Sequence, residues 1–293
     1  MGLPRTGDVA SRFSTFVDGL VSVIGHAARA KPLRDYCTGL MMPCHRKSVE
    51  PIAAMTAPER TAAQHQSLLH FVGQGDWSDQ QVLAKVREMV LPDIERHGPI
   101  EAWIIDDTGF PKKGRHSVGV ARQYCGQLGK QDNCQVAVTL SLANHHASLP
   151  VAHRLYLPKE WATDRQRRRK AGVPKEVTFK TKPAIALDHL RFACAAGLRG
   201  GVVLMDAGDG TDTALRGTIT ALGLTRGGVS RPRTEHGRVR TALGLLPFTM
   251  PKLAVAVNIS GEGLAERMKL TAARKGRSYV IDRPKPTDPA IDG

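Results

Sequence analysis

The chain has 293 residues, 41% of them hydrophobic, which is enough core-forming material for one large or two modest domains and argues against disorder along its whole length. Forty-two Lys and Arg against 27 Asp and Glu leave a formal charge of +15, a surplus that favours a polyanionic partner, nucleic acid first, over a neutral metabolite. Five cysteines with no C-x-x-C pair argue against a disulfide framework or zinc ribbon, and no apolar run approaches the roughly 20 residues of a membrane span, so a cytoplasmic chain is expected.

Residues 1–100 read as a small helical domain. Phe13, Phe16, Val17, Leu20, Val21 and Ile24 recur at three- and four-residue spacing, as do Val82, Leu83, Val86, Met89 and Val90. Leu68, Leu69, Phe71 and Val72 predict a shorter amphipathic piece between them, and Gly98-Pro99 closes the helical part.

The period then changes. Residues 102–108 form a compact apolar run ending in two aspartates, which predicts a buried central strand. A second strand is predicted over 118–125. Residues 134–144 alternate, with Val136, Val138, Leu140 and Leu142 on one face and Ala137, Thr139 and Ser141 on the other, predicting a third strand antiparallel to its neighbour. Residues 149–157 extend the same sheet. The stretch 159–182 carries nine basic and three acidic residues and reads as a charged surface insertion. A helix follows over 183–197, a short buried strand over 202–206 and a helix over 211–222. After Leu224 the Arg, Gly, Ser and Pro content predicts loop or disorder in place of a further strand, and residues 225–293 read as a basic, poorly structured tail.

Two apolar strands therefore run into acids at their carboxyl ends, where α/β sheets place ligands: Asp106 and Asp107 after the first, Asp206 after the later one. Carboxylates without His or Cys partners suit Mg²⁺ or Mn²⁺, and a pair of such ions cleaves phosphodiesters. The competing reading makes these residues turn or helix caps, with Asp206-Ala207-Gly208 as a turn. Lys112, Lys113, Arg115, Arg122 and Lys130 follow the first aspartates with no acid between them, a stripe suited to DNA phosphates or to a solvated loop. The run Arg165, Arg167, Arg168, Arg169 and Lys170 reads as a solvated face. Trp103 reads as core. Trp161 reads as core or hinge packing ahead of a stacking platform for a flipped base. H-E-x-x-H, G-x-S-x-G and Walker A patterns are absent from the sequence, which disfavours a zinc protease, a serine hydrolase of that type and a nucleotide-driven motor.

The residues Ile104-Ile105-Asp106-Asp107-Thr108-Gly109-Phe110-Pro111-Lys112-Lys113-Gly114 and Gly114-Arg115-His116-Ser117-Val118-Gly119-Val120 resemble the DDE-superfamily insertion-sequence transposases. The likeness continues through Gln123-Tyr124-Cys125-Gly126, Leu157-Pro158-Lys159-Glu160-Trp161, Ala171-Gly172-Val173-Pro174, Thr181-Lys182-Pro183 and Leu204-Met205-Asp206-Ala207-Gly208, with Arg46-Lys47-Ser48-Val49-Glu50-Pro51 in the helical region. It covers about the first 220 residues. The resemblance implies an α/β, RNase H-like mixed sheet behind a helical N-terminal domain, with a partial catalytic domain over 101–224. It further implies two divalent ions (Mg²⁺ or Mn²⁺) held by three acids, with Asp106 or Asp107 first and Asp206 second. Double-stranded DNA, as element terminal repeats and target, is the implied partner, with a homo-oligomer as an option and no membrane.

Two departures stand out. Asp209 occupies the position of an aromatic residue in the family's D-A-G-Y-G motif, adding negative charge beside Asp206. The family's C-terminal segment carrying the third acid has no counterpart here, and neither Glu262 nor Glu266 sits in a matching motif. The expectation is a truncated or frameshifted transposase, either retaining cleavage or reduced to a DNA-binding remnant that inhibits intact copies.

Overall fold

A computed structural model describes residues 6–43, 47–205 and 212–228. The chain divides into two compact units, Met1–Pro99 and Ile100–Gly293.

In the first unit the described residues form α1 (Thr6–Val21), α2 (Ala30–Met41), α3 (Val49–Thr56), α4 (Thr61–Gln74) and α5 (Asp79–His97). The three- and four-residue spacing in α1 turns Val17 and Leu20 inward, where with Ile24 they meet Leu33 of α2 and Phe71 of α4. A second cluster joins Ile52, Ala53 and Leu68. Gly39 makes the α2–α3 contact possible, because a Cβ there would lie 2.3 Å from Ile52 Cγ2. Ser78 caps α5 by accepting the Gln81 N–H, and Gly98 follows its last turn, as the Gly98-Pro99 signal predicts. The Trp77 indole N–H donates to the Phe71 carbonyl at 2.8 Å while the two rings stack 5.6 Å apart. Helices α2 and α3 were not singled out from the sequence; they pack closely across Gly39.

The second unit is built on a six-stranded sheet: β1 (Ala102–Pro111), β2 (Ala121–Cys125), β3 (Lys130–Ala143), β4 (Ser148–Leu155), β5 (Val202–Met205) and β6 (Arg226–Gly228). Its helices are α6 (Lys159–Thr163), α7 (Arg165–Lys170), α8 (Lys182–Ala195) and α9 (Thr213–Ala221). The path runs β2-β3-β1-β5-β6, with β4 also pairing with β3; β1, β2 and β4 are each antiparallel to β3, β5 is parallel to β1 and β6 is parallel to β5. Four strands in antiparallel pairings, β1 to β4, followed by helix α8, parallel strand β5, helix α9 and parallel strand β6 make an RNase H-like fold.

Strand β3 is buried on both faces: Val136, Val138, Leu140 and Leu142 on one and Ala137, Thr139 and Ser141 on the other. Helix α8 begins at Lys182 with Thr181 as its cap and Pro183 in its first turn. It lies on the sheet face that carries Trp103, Ile105 and Asp107; the Trp103 indole donates to the Arg199 carbonyl at 2.8 Å just beyond its end.

Three expectations are corrected. A strand does follow Leu224: β6 pairs in parallel with β5, and the Val203 N–H donates to the Thr225 carbonyl at 2.8 Å. Its pairing uses main-chain groups alone, so the apolar side chains whose lack argued against a strand are not required at this edge. The second strand starts at Ala121 instead of residue 118, because residues 117–120 make a turn in which the Val120 N–H bonds the Ser117 carbonyl and Gly119 takes φ +74°. The basic insertion is not merely a charged surface: α6 and α7 close over a small core of Val120, Leu157 and Trp161, joined by Val173 and Val177. Of the predicted tail, residues 229–293 lie outside the described residues.

Candidate metal and nucleic-acid site

β1 lies between β3 and β5 and is buried from Ala102 through Ile105; the half-buried Asp106, Asp107 and Thr108 stand in mid-strand, not at its carboxyl end as the apolar run suggested, because β1 continues to Pro111 by pairing with β3. Because side chains alternate along a strand, the two aspartates leave opposite faces. Asp106 shares its face with Ile104, which packs on Leu204 of β5. Its Oδ1 accepts the Asp107 N–H at 2.9 Å, and its carbonyl accepts the Thr139 hydroxyl at 3.1 Å. Asp107 faces α8, where its Oδ2 lies 2.5 Å from the Lys182 ammonium. Lys182 also stands 5.7 Å over the Tyr156 ring. The Thr108 hydroxyl is buried with no hydrogen-bond partner among the described residues.

The carboxylates of Asp106 and Asp107 are oxygen donors, which suit a hard divalent cation, but with one on each face they do not converge on a single ion. Among the described residues no three His, Cys, Asp or Glu side chains gather as a metal site. Asp206 follows Met205 directly in sequence and lies outside the described residues, as do Asp209, Glu262 and Glu266.

The basic stripe divides in two. Lys113 and Arg115, from the loop after β1, and Arg122, from β2, line a cavity of about 420 Å³ together with Asp132 and Glu160. Lys112 and Lys130 are exposed outside it, Lys130 paired with Asp132 at 3.1 Å. Asp132 is held below the usual carboxylate range by the Asn133 N–H, then by Lys130 and Arg122. The side chain of Asn133 pins the loop by donating to the carbonyls of Lys112 (2.7 Å) and Gly114 (2.9 Å).

Arg167 completes the cavity and was missed by sequence reasoning, which read its run as a solvated face. Its guanidinium lies 3.6 Å from the Trp161 ring centroid and donates to the Arg115 carbonyl at 2.8 Å. A lone Arg in a run of four gives no local signal of this; the information lies in the tertiary position of Trp161. Trp161 itself is fully buried and donates to the Val120 carbonyl at 2.7 Å, so it is core and cannot stack on a base from this position. Arg168 is also structural, donating to the carbonyls of Ala162 and Pro174.

Comparison with known proteins gives the class: residues 19–236 match a family model described as DDE superfamily endonuclease, and the chain belongs to that family. A relative in Microchaete diplosiphon, described as a probable transposase for insertion sequence element IS701, is 31% identical over 169 residues. That match spans 58% of this chain and 40% of the relative's length. No described helix is long and apolar enough to cross a membrane.

Proposed function

We propose that this chain is an insertion-sequence transposase that binds double-stranded element ends, with Asp106 and Asp206 as two of the carboxylates that hold Mg²⁺ or Mn²⁺. The observation that carries this reading is the register of β1 on β5. Ile104 pairs in parallel with Leu204, and two residues further along each segment stand Asp106 and Asp206. Side chains two apart along a strand share a face, so Asp106 lies on the face where Ile104 meets Leu204 of β5, which favours Asp106 over Asp107 as the first acid.

A divalent ion held there supplies Lewis-acid polarisation of a phosphodiester oxygen and activation of an attacking hydroxyl. The chain's own groups do the rest. Lys182 neutralises Asp107, which limits like-charge repulsion beside Asp106. Lys112, Lys113, Arg115, Arg122 and Lys130 attract the DNA backbone, and their contribution weakens with salt. The cytoplasm is the compartment in which such a protein meets its DNA.

Incubating labelled terminal-repeat DNA with the protein and Mn²⁺ tests the reading. Nicks that disappear in Asp106→Asn and Asp206→Ala are the expected result. Retarded DNA without nicks under all conditions sinks the catalytic half and leaves the second reading, a non-cleaving DNA-binding protein.

A further inference from the structure

We propose that the cavity between the loop after β1, β2 and α7 is a preformed seat for one phosphodiester group of duplex DNA, held by Arg122 and Arg167 with Lys113 and Arg115. The proposal rests on the DNA-binding reading above and deepens it. Four cations and two acids, Asp132 and Glu160, line the space, so it carries a surplus of positive charge suited to a singly charged phosphodiester.

What distinguishes this cavity from an ordinary basic surface is that Arg167 and the backbone of the loop after β1 are held before any ligand arrives. Arg167 is stacked on a fully buried tryptophan and hydrogen-bonded to the Arg115 carbonyl. That arrangement leaves the remaining guanidinium donors pre-aimed and lowers the entropy lost on binding. The loop carrying Lys113 and Arg115 is pinned by Asn133 at one end. At the other end it is pinned by Gln135, whose amide donates to the Val118 carbonyl at 2.6 Å, and by Trp161 on Val120. One acid is already engaged: Asp132 accepts the Asn133 N–H at 2.8 Å and pairs with Lys130.

The cavity also stands at a distance that duplex geometry can use. On β3, Asp106 pairs with Thr139 and Arg122 pairs with Asn133, and all four share one sheet face by register. Six residues of β3, roughly 20 Å along the strand, and two strand spacings of about 4.8 Å across it separate the two positions, roughly 22 Å in all. With one phosphate per 3.4 Å of each strand, the seat lies roughly six base pairs from the nucleotide at Asp106. It would set the register of the duplex on the protein without reading sequence.

The test measures binding of the full chain to a fluorescent 30-base-pair duplex across a salt series. Arg122→Ala and Arg167→Ala are compared with Arg165→Ala and Arg169→Ala, which remove equal charge from exposed positions of α7 outside the cavity. The two cavity variants are expected to bind about five- to tenfold more weakly, with salt slopes reduced by about one, and the controls to change less than twofold. Arg122 makes no contact with Trp161 in the stacking described, so its variant separates loss of the seat from disturbance of the α6–α7 core. Equal losses in all four variants, or no loss in the cavity pair, overturn the proposal while leaving DNA binding intact. A wild-type chain that binds no duplex at low salt overturns both readings.

Discussion

Lys182, the first residue of α8, places its ammonium 2.5 Å from the Asp107 carboxylate in the middle of β1, tying the helix to the central strand beside Asp106. Both side chains are about a quarter exposed, 27% and 28%, so the pair lies between a surface and a buried ion pair. Lys182→Ala leaves Asp107 half-buried without this partner and is expected to cost about 1–2 kcal/mol of stability. Lys182→Ala combined with Asp107→Asn is expected to recover part of that loss. Chemical denaturation of the single and double variants measures both.

The two aspartates can be separated by activity. On the register argument, Asp106→Asn is expected to abolish Mn²⁺-dependent nicking. Asp107→Asn is expected to retain a measurable rate and to lose stability. Equal loss in both variants, with both proteins folded by circular dichroism, refutes the assignment of Asp106 as first acid.

Gly119 and Trp161 hold the loop that follows β1. Gly119 has φ +74°, and a Cβ there would meet the Tyr156 carbonyl oxygen at 2.8 Å, so Gly119→Ala combines backbone strain with a close contact. About 2 kcal/mol or more of lost stability is expected. Trp161→Ala empties a fully buried site and is expected to cost about 3–5 kcal/mol, whereas Trp161→Phe forgoes chiefly the bond to Val120, about 1 kcal/mol. Thermal melting ranks the three.

His189 on α8 supplies a pH dependence. Burial lowers its imidazole below the ordinary 6.5, as do His153 and Arg154, against the Val138 carbonyl and Asp188, which raise it. Its Nε2 lies 3.2 Å from that carbonyl, consistent with a neutral ring donating from Nε2. The unfolded chain therefore binds a proton more readily than the folded one. Stability is complete above pH 6.5 and falls as the pH drops through the interval between 6.5 and the lower folded value. His189→Met is expected to flatten that part of the stability curve; an unchanged slope between pH 7.5 and 5 contradicts the assignment.

The buried thiols give a chemical check on the sheet. Burial, followed by the neighbouring Cys125, pushes the Cys134 thiol up to about 11, and both sulfurs are inaccessible. At pH 8 neither is expected to react with a thiol reagent until denaturant is added, as read by mass spectrometry of labelled peptides.

Much of the outline was legible along the chain because hydrophobic period is a local property. The three- and four-residue spacing of Val17 and Leu20, the alternation of Val136 to Leu142 and the apolar run before Asp106 each record which side of an element meets the core. The long motifs from Ile104 to Val120 likewise carried the resemblance to the DDE superfamily. Partners distant in sequence were decided only by tertiary structure. Strand β5 pairs in parallel with β1, Lys182 reaches Asp107 across 75 positions, and Arg167 settles on Trp161 to complete a cavity. Strand β6 belongs with these, since main-chain pairing to β5 leaves almost no trace in side-chain chemistry. A period states which face of an element is buried; which residues meet there depends on how the strands register and how the helices dock.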